Sequence, residues 1–343
     1  MRSAGVIEKR RWDNDEIDTR TPRRGCGRTV IASTVIASTA IAGSTAGPTY
    51  NLKKLKGSIT SDGSSTVGPY TTAAAELFRK AGATGVKVTV GISGTGGGFQ
   101  RFCANELDLS NASRPMKISE AQSCKNNSVG SWRAFTVAND ALTVVVNQQN
   151  TWARCLPVEE LKKIWDQGSK IDNWKDVRAG FPDVPLKLFG PGTDSGTFDY
   201  FTEVINGKSK RSRSDYQASE DDNVLVQGVS GEHGGMGYFG FSYYEENKSR
   251  LNAVQVRNPK TGQCVSPGIQ SVQGGSYKPL ARPLFIYAKG SSFTRREVQA
   301  FLDYIFDNEQ TIATRADFVP LTRAQLKRAR TTFALAVKAA NNS

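Results

Sequence analysis

Apolar residues recur along the chain with two periods, and the alternation between them sets out the architecture. Phe198, Phe201 and Ile205 fall at i, i+3 and i+7, one face of a helix, directly after a glycine-rich loop that starts at Gly190. Ala74, Leu77, Phe78 and Ala81 repeat that register after the Gly/Ser/Thr run at 61–68, with Pro69 placed for a first helical turn. Phe99, Phe102 and Cys103 do so again after the small-residue loop at 93–98. Between these segments lie strand-like runs: 86–90 (VKVTV), 108–113 (DLSNAS), 135–147 (FTVANDALTVVVN), 186–189, 252–257 and 284–288 (LFIYA). The run at 135–147 is long for one strand and is interrupted by Asn139 and Asp140, as expected where a chain passes from one lobe to another. Residues 157–165 predict a helix opening at Pro157, and 234–241 (GGMGYFGF) a tight glycine turn with aromatics. Helices over 295–306 and 322–339 close the chain. No internal repeat is present. Alternating β and α segments predict an α/β fold of open sheets, with ligand loops at strand ends and a site in the crevice between them.

The three loops that feed helices share one chemistry. The first turn of a helix leaves N–H groups unpaired, its dipole presents a positive end, and neighbouring hydroxyls add donors. Such a loop seats an anion without a metal. Each loop alone also reads as an ordinary N-cap; three in one chain favour the anion site.

Charge and cysteine content refine this picture. Net charge is +13 over 343 residues, but basic residues are interspersed with acids. The densest run, Lys208, Lys210, Arg211 and Arg213, reads as a solvated loop, because no aromatic residues interleave with it as a nucleic-acid platform requires. Residues 1–28 are polar and carry the pairs Arg10-Arg11 and Arg23-Arg24. They precede a small and apolar run over 29–42, too short to span a membrane but fitted to an export signal. Cys26 lies on the wrong side of that run for a lipid-anchored cysteine, and lipid anchoring stays open. Cys103, Cys124, Cys155 and Cys264 then remain, without CxxC spacing and with His233 as the sole histidine. Four cysteines allow three pairings; the expected one joins Cys103 to Cys124 and Cys155 to Cys264. No metal and no cofactor is expected.

Taken together, GSSTVGP at 63–69, GISGTGGGF at 91–99, NASRP at 111–115, GPGTDSGTFDYF at 190–201, GGMGYFGF at 234–241 and ARPLFIYA at 281–288 resemble the phosphate-binding receptor of the phosphate-specific ABC transporter, within the periplasmic binding protein superfamily. The likeness spans roughly residues 55–335. It implies a two-lobed clamshell, each lobe an open mixed sheet flanked by helices, with 1–55 a leader, 56–140 and 281–343 one lobe, and 141–280 the other. It implies capture of inorganic phosphate outside the cytoplasm by a monomer that delivers it to a membrane permease. Carried over by motif, the ligand contacts are Ser64, Ser65, Thr66, Ser93, Thr95, Ser113, Arg114, Asp194, Ser195, Gly196 and Thr197.

Two positions depart from the family pattern. Ser113-Arg114 stands where an Asp often precedes the proline, and Pro191 stands near the place of an arginine upstream of the SGT. Asp62, Asp140 and Asp194 are the available acceptors for a ligand proton, Asp194 first because it adjoins the SGT, and Arg114 is the candidate replacement cation. The competing readings are a binder of another oxyanion, a serine-type phosphoester hydrolase resting on His233, and a nucleic-acid binder.

Overall fold

The computed structural model describes residues 50–193 and 195–342, so the expected leader falls almost entirely outside the described residues, as does Asp194. Its strands are β1 (Gly57–Gly63), β2 (Val86–Val90), β3 (Leu109–Ala112), β4 (Trp132–Asn147), β5 (Cys155–Leu156), β6 (Lys187–Pro191), β7 (Gln217–Ser219), β8 (Gly235–Gly240), β9 (Leu251–Ala253), β10 (Gln255–Arg257), β11 (Cys264–Val265) and β12 (Ala281–Lys289). One continuous path runs β2-β1-β3-β12-β4-β8-β6-β7, with β9 also on β4. A small second sheet is ordered β11-β10-β5. The parallel pairs β1–β2, β1–β3, β6–β7 and β6–β8 stand at its two ends, and antiparallel pairs join them through the middle.

β4 makes that junction. From Trp132 to Ala141 it pairs with β12, and from Leu142 onward with β8 and β9. Asn139 and Asp140 do not interrupt it. They lie inside the ladder opposite Pro283 and Arg282, and Asn139 also bridges Val319.

Hydrophobic residues on either side of this point form separate cores. One gathers Ile59, Phe78, Phe135, Ile286, Phe301 and Phe333, drawn from both ends of the described chain. The other gathers Val144, Trp165, Phe201, Tyr238, Val256 and Leu280 from its middle. Periodicity places these side chains. Val298, Phe301, Leu302 and Ile305 are buried on one face of the helix Arg296–Asp307, and Ala329, Phe333, Ala336 and Val337 on one face of Arg323–Asn341. Thr322 and Gln325 close a capping box at the start of the latter. Each such fully buried Phe contributes about 2–3 kcal/mol of transfer free energy.

Several elements differ from the sequence-based expectations, among them strand β1 and the helices Ile118–Asn126 and Asp222–Gly231, which were not expected. Residues 235–240 form strand β8 rather than a turn, because Gly237 lets the strand lie against the Phe189 carbonyl, where a Cβ would sit 2.7 Å from the oxygen. The run at 252–257 divides between two sheets at Val254. Gly96, Gly97 and Gly98 lie within the helix Gly94–Cys103 and not in the loop before it; a Cβ on Gly98 would sit 2.5 Å from the Gly63 Cα, so the helix packs there only with glycine. A further helix, Glu309–Arg315, fills the gap between the two expected C-terminal ones.

Both expected disulfides are present. Cys155–Cys264 ties β5 to β11. Cys103–Cys124, buried, joins the helices Gly94–Cys103 and Ile118–Asn126. The basic run is not a continuous solvated stretch either. Arg213 is buried and donates to the Ile164 and Ile171 carbonyls at 3.1 and 2.7 Å, and Arg211 pairs with Asp166.

Candidate functional site

The three small-residue loops each lead into a helix: Gly68–Lys80, Gly94–Cys103 and Gly196–Ile205. The folding that brings them together is visible in a chain of short contacts.

Asp62, at the end of β1, ties the first loop to the second. Its Oδ1 accepts the Gly63 N–H at 2.6 Å and the Ser93 N–H at 2.9 Å, and its Oδ2 pairs with Arg101. Burial pushes the Asp62 carboxyl up, but the hydrogen bonds from Ser93, Gly63 and Arg101 outweigh it and hold the group below its ordinary value. One oxygen thereby holds the two loops together and the other holds the helix that follows the second.

The second loop is joined to the end of β3. Thr95 Oγ1 and Ser113 Oγ lie 3.0 Å apart, and Thr95 Oγ1 accepts the Ser113 N–H at 3.2 Å. Arg114 stands beside the loop, 3.9 Å from where a Gly96 side chain would begin. Its guanidinium is bidentate on Glu120, at 2.9 and 2.7 Å, and lies over Phe99. Arg114 therefore reaches the cluster already neutralised.

The first and third loops touch directly. Thr66 Oγ1 donates to the Gly196 carbonyl at 3.4 Å, and a Cβ on Gly196 would sit 2.8 Å from the Thr66 nitrogen and 2.8 Å from Oγ1. Glycine is what permits this approach. Ser195 caps the third helix, its Oγ accepting the Thr197 N–H at 3.1 Å and the Phe198 N–H at 3.5 Å. A hydroxyl used this way keeps its own proton for another acceptor. Ser64, in the first loop, is buried and its Oγ accepts the Val67 N–H at 3.4 Å; Ser65 is half-buried beside it. Among the described members of the set, Ser93 is the exposed one.

Arg282 is the residue that sequence reasoning missed. It enters from β12, donates to Thr66 Oγ1 at 2.9 Å and to Asp140 at 3.1 Å, and lies over the Tyr200 ring at 3.5 Å. Burial raises the Asp140 carboxyl, with the Arg282 charge and hydrogen bond acting against it. Arg282 was inside the quoted ARPLFIYA segment. The signal that singles it out is antiparallel pairing of the two crossing strands, which sets it opposite Asp140.

The described members of the predicted set thus stand on loops joined by Asp62, by Thr95 with Ser113 and by Thr66 with Gly196. They offer hydroxyls and three helix N-termini, and Arg282 adds a guanidinium beside Thr66: a donor-rich seat for an oxyanion. Among the described residues no group of three or more His, Cys, Asp or Glu is placed to hold a metal ion. His233 packs edge-on against Trp152, and no hydrogen bond joins it to Ser195.

The chain is similar to known proteins. The PBP superfamily domain matches over residues 38–309. The chain is 48% identical over 265 residues to Protein SphX of Synechococcus elongatus, covering 77% of each. It is 35% identical over 297 residues to the phosphate-binding protein PstS of Staphylococcus haemolyticus, covering 85% of this chain and 90% of that one. The crystal structure of a possible phosphate binding protein from Planctomyces limnophilus covers 82% of this chain and 99% of its own, with a TM-score of 0.79 at 45% identity. An ABC-type phosphate transport receptor from Vibrio cholerae shares the fold, with a TM-score of 0.59 at 21% identity over 77% of this chain and 100% of its own. From the match over 38–309 and the two relatives above 30% identity, the chain belongs to the PBP superfamily, the solute-binding proteins of periplasmic-binding-protein fold.

Proposed function

We propose that this protein is an extracytoplasmic receptor that binds inorganic phosphate between two lobes, 56–140 with 281–343 and 141–280, and hands it to the permease of an ABC transporter. The observation that carries the reading is the contact of Thr66 with Gly196, which sets two helix N-termini and the Arg282 guanidinium around one point. Relatives named for phosphate binding support it. In this reading Ser64, Ser65, Thr66, Ser93, Thr95, Ser113, Ser195, Gly196 and Thr197 supply the donors. Both arginines are ion-paired, but Arg282 alone of the two also donates to Thr66, so it takes the part first given to Arg114, and Asp194 remains the first candidate acceptor of the ligand proton.

Closure is a hinge motion selected by contacts made from both sides of the cleft. No reaction is required. A hydrolase reading needs a base beside Ser195, and that hydroxyl instead faces backbone amides. Nucleic acid is no partner in this reading, and the protein acts as a monomer outside the cytoplasm. Among the described residues no helix is long and apolar enough to cross a membrane.

Calorimetric titration of the full chain with phosphate and with sulfate, at two pH values, tests the proposal. Phosphate binding at roughly micromolar Kd or tighter, about −8 kcal/mol, with sulfate ignored is the expected result. Sulfate binding in place of phosphate moves the reading to another oxyanion and removes the need for a carboxylate that accepts a ligand proton. Binding of neither overturns it.

A further inference from the structure

A cavity of about 760 Å³ opens beside the loop cluster, within the size range of small-ligand sites. Ser113, Arg114 and Arg282 line it and also make the contacts described above, so the two spaces share a wall. Its other charged side chains are Lys260, Lys278 and the single carboxylate Glu203. Arg114 and Arg282 are already paired with Glu120 and Asp140, whereas among the described residues neither lysine lies in an ion pair. Lys278 is half-buried and donates to the Ala281 carbonyl at 2.7 Å. Burial, and after it the charge of Lys260, hold its ammonium below the ordinary lysine pKa. Two cations that repel each other across a partly desolvated space form an arrangement that an anion relieves.

We propose that this cavity is a subsite for the inner phosphoryl groups of a condensed phosphate, pyrophosphate or tripolyphosphate, whose terminal phosphoryl occupies the loop cluster. The inference rests on the phosphate reading above and extends it from one phosphoryl group to a short chain of them. The shared wall supplies the continuity, since Arg282 faces Thr66 on one side and the cavity on the other. Lys260 and Lys278 supply the counter-charge for the second and third groups. Each phosphoryl added brings negative charge to a place where the protein has positive charge to offer.

The test is calorimetric titration of the full chain with orthophosphate, then with pyrophosphate and tripolyphosphate freed of orthophosphate, on wild type, Lys278→Met and Lys260→Gln. The expected result is that all three ligands bind and compete. Each lysine variant weakens tripolyphosphate at least fivefold and leaves orthophosphate within twofold, and the retained orthophosphate affinity shows that the variant is folded. Lys260 is exposed, so its variant carries the test if Lys278→Met does not fold. Orthophosphate binding with no competition from either condensed phosphate overturns the inference and leaves the receptor reading intact. Competition that neither lysine variant changes overturns the subsite. Failure of orthophosphate itself to bind overturns both readings.

Discussion

Gly196→Ala isolates the contact between the first and third loops. The substitution adds one methyl group at the first residue of the helix Gly196–Ile205. Its Cβ would lie 2.8 Å from the Thr66 nitrogen, 2.8 Å from Oγ1 and 2.9 Å from Cα. Two of those three atoms belong to backbone, so the neighbour cannot rotate away and the loops must part by several tenths of an ångström. Overpacking of this kind costs about 1–3 kcal/mol, which at 1.4 kcal/mol per decade is roughly a 5- to 150-fold loss of phosphate affinity. Gly196 opens its helix and does not lie in the interior, so alanine gains little helix propensity there. The variant should therefore bind phosphate worse while melting, without ligand and with the loops free to part, close to the wild-type temperature. Calorimetry gives the first quantity and thermal unfolding without ligand the second. Affinity within twofold of wild type would refute the reasoning, since it would mean that the ligand-bound state does not press these loops together.

Ser195→Ala removes both the helix cap, worth about 0.5–2 kcal/mol, and a donor to the anion, worth about 1–3 kcal/mol. Melting temperature and phosphate affinity should fall together, and loss of only the first would reduce Ser195 to a cap. Arg282→Met leaves Asp140 buried without its cation, which at neutral pH costs about 3–5 kcal/mol. The deficit should shrink as pH falls toward 5, because a proton then replaces the arginine; urea titration at several pH values reads it, and a pH-independent deficit rules the pairing out as its cause. Glu309 is 3% exposed and burial pushes its carboxyl from 4.5 up to about 7, while its Oε1 accepts the Leu321 N–H at 2.8 Å. The folded state thus holds a proton that the unfolded chain releases between pH 4.5 and 7, so stability from this group is present below that window and is lost across it, up to about 3 kcal/mol. Glu309→Gln keeps the acceptor and should flatten the fall in melting temperature over the window; an unchanged slope would assign the fall to other groups.

Much of the fold was legible because helix faces and strand runs are local signals. The 3.6-residue spacing of Val298, Phe301, Leu302 and Ile305 requires no knowledge of partners. β8 was misread because its glycines look like a turn until the Phe189 carbonyl beside Gly237 is known, and that neighbour comes from a strand nearly fifty residues earlier. The loop residues of the candidate site were found by their hydroxyl and glycine content. Arg282 was not, because nothing local distinguishes it from the other arginines of a basic chain. Its meaning comes from sitting opposite Asp140 across a ladder between distant segments. Arg114 illustrates the converse, since its partner Glu120 lies six residues away and the pairing is invisible without the backbone geometry of the intervening turn.

The position of β12 between β3 and β4 also bears on how the chain is made. A ribosome delivers β1, β2, β3 and β4 first, but β3 and β4 cannot complete their side of the sheet until the strand that separates them has emerged. At 5–20 residues per second, the stretch from Asn147 to Ala281 takes roughly 7 to 27 seconds to synthesise. Throughout that interval both flanking strands present bare edges, the feature that invites wrong pairing and that holding chaperones cover. β6, β7 and β8 can meanwhile assemble against the far end of β4, so the middle of the chain is free to finish before its beginning. Completion of the first-made part of the sheet thus waits on the strand made last, while the middle of the chain does not.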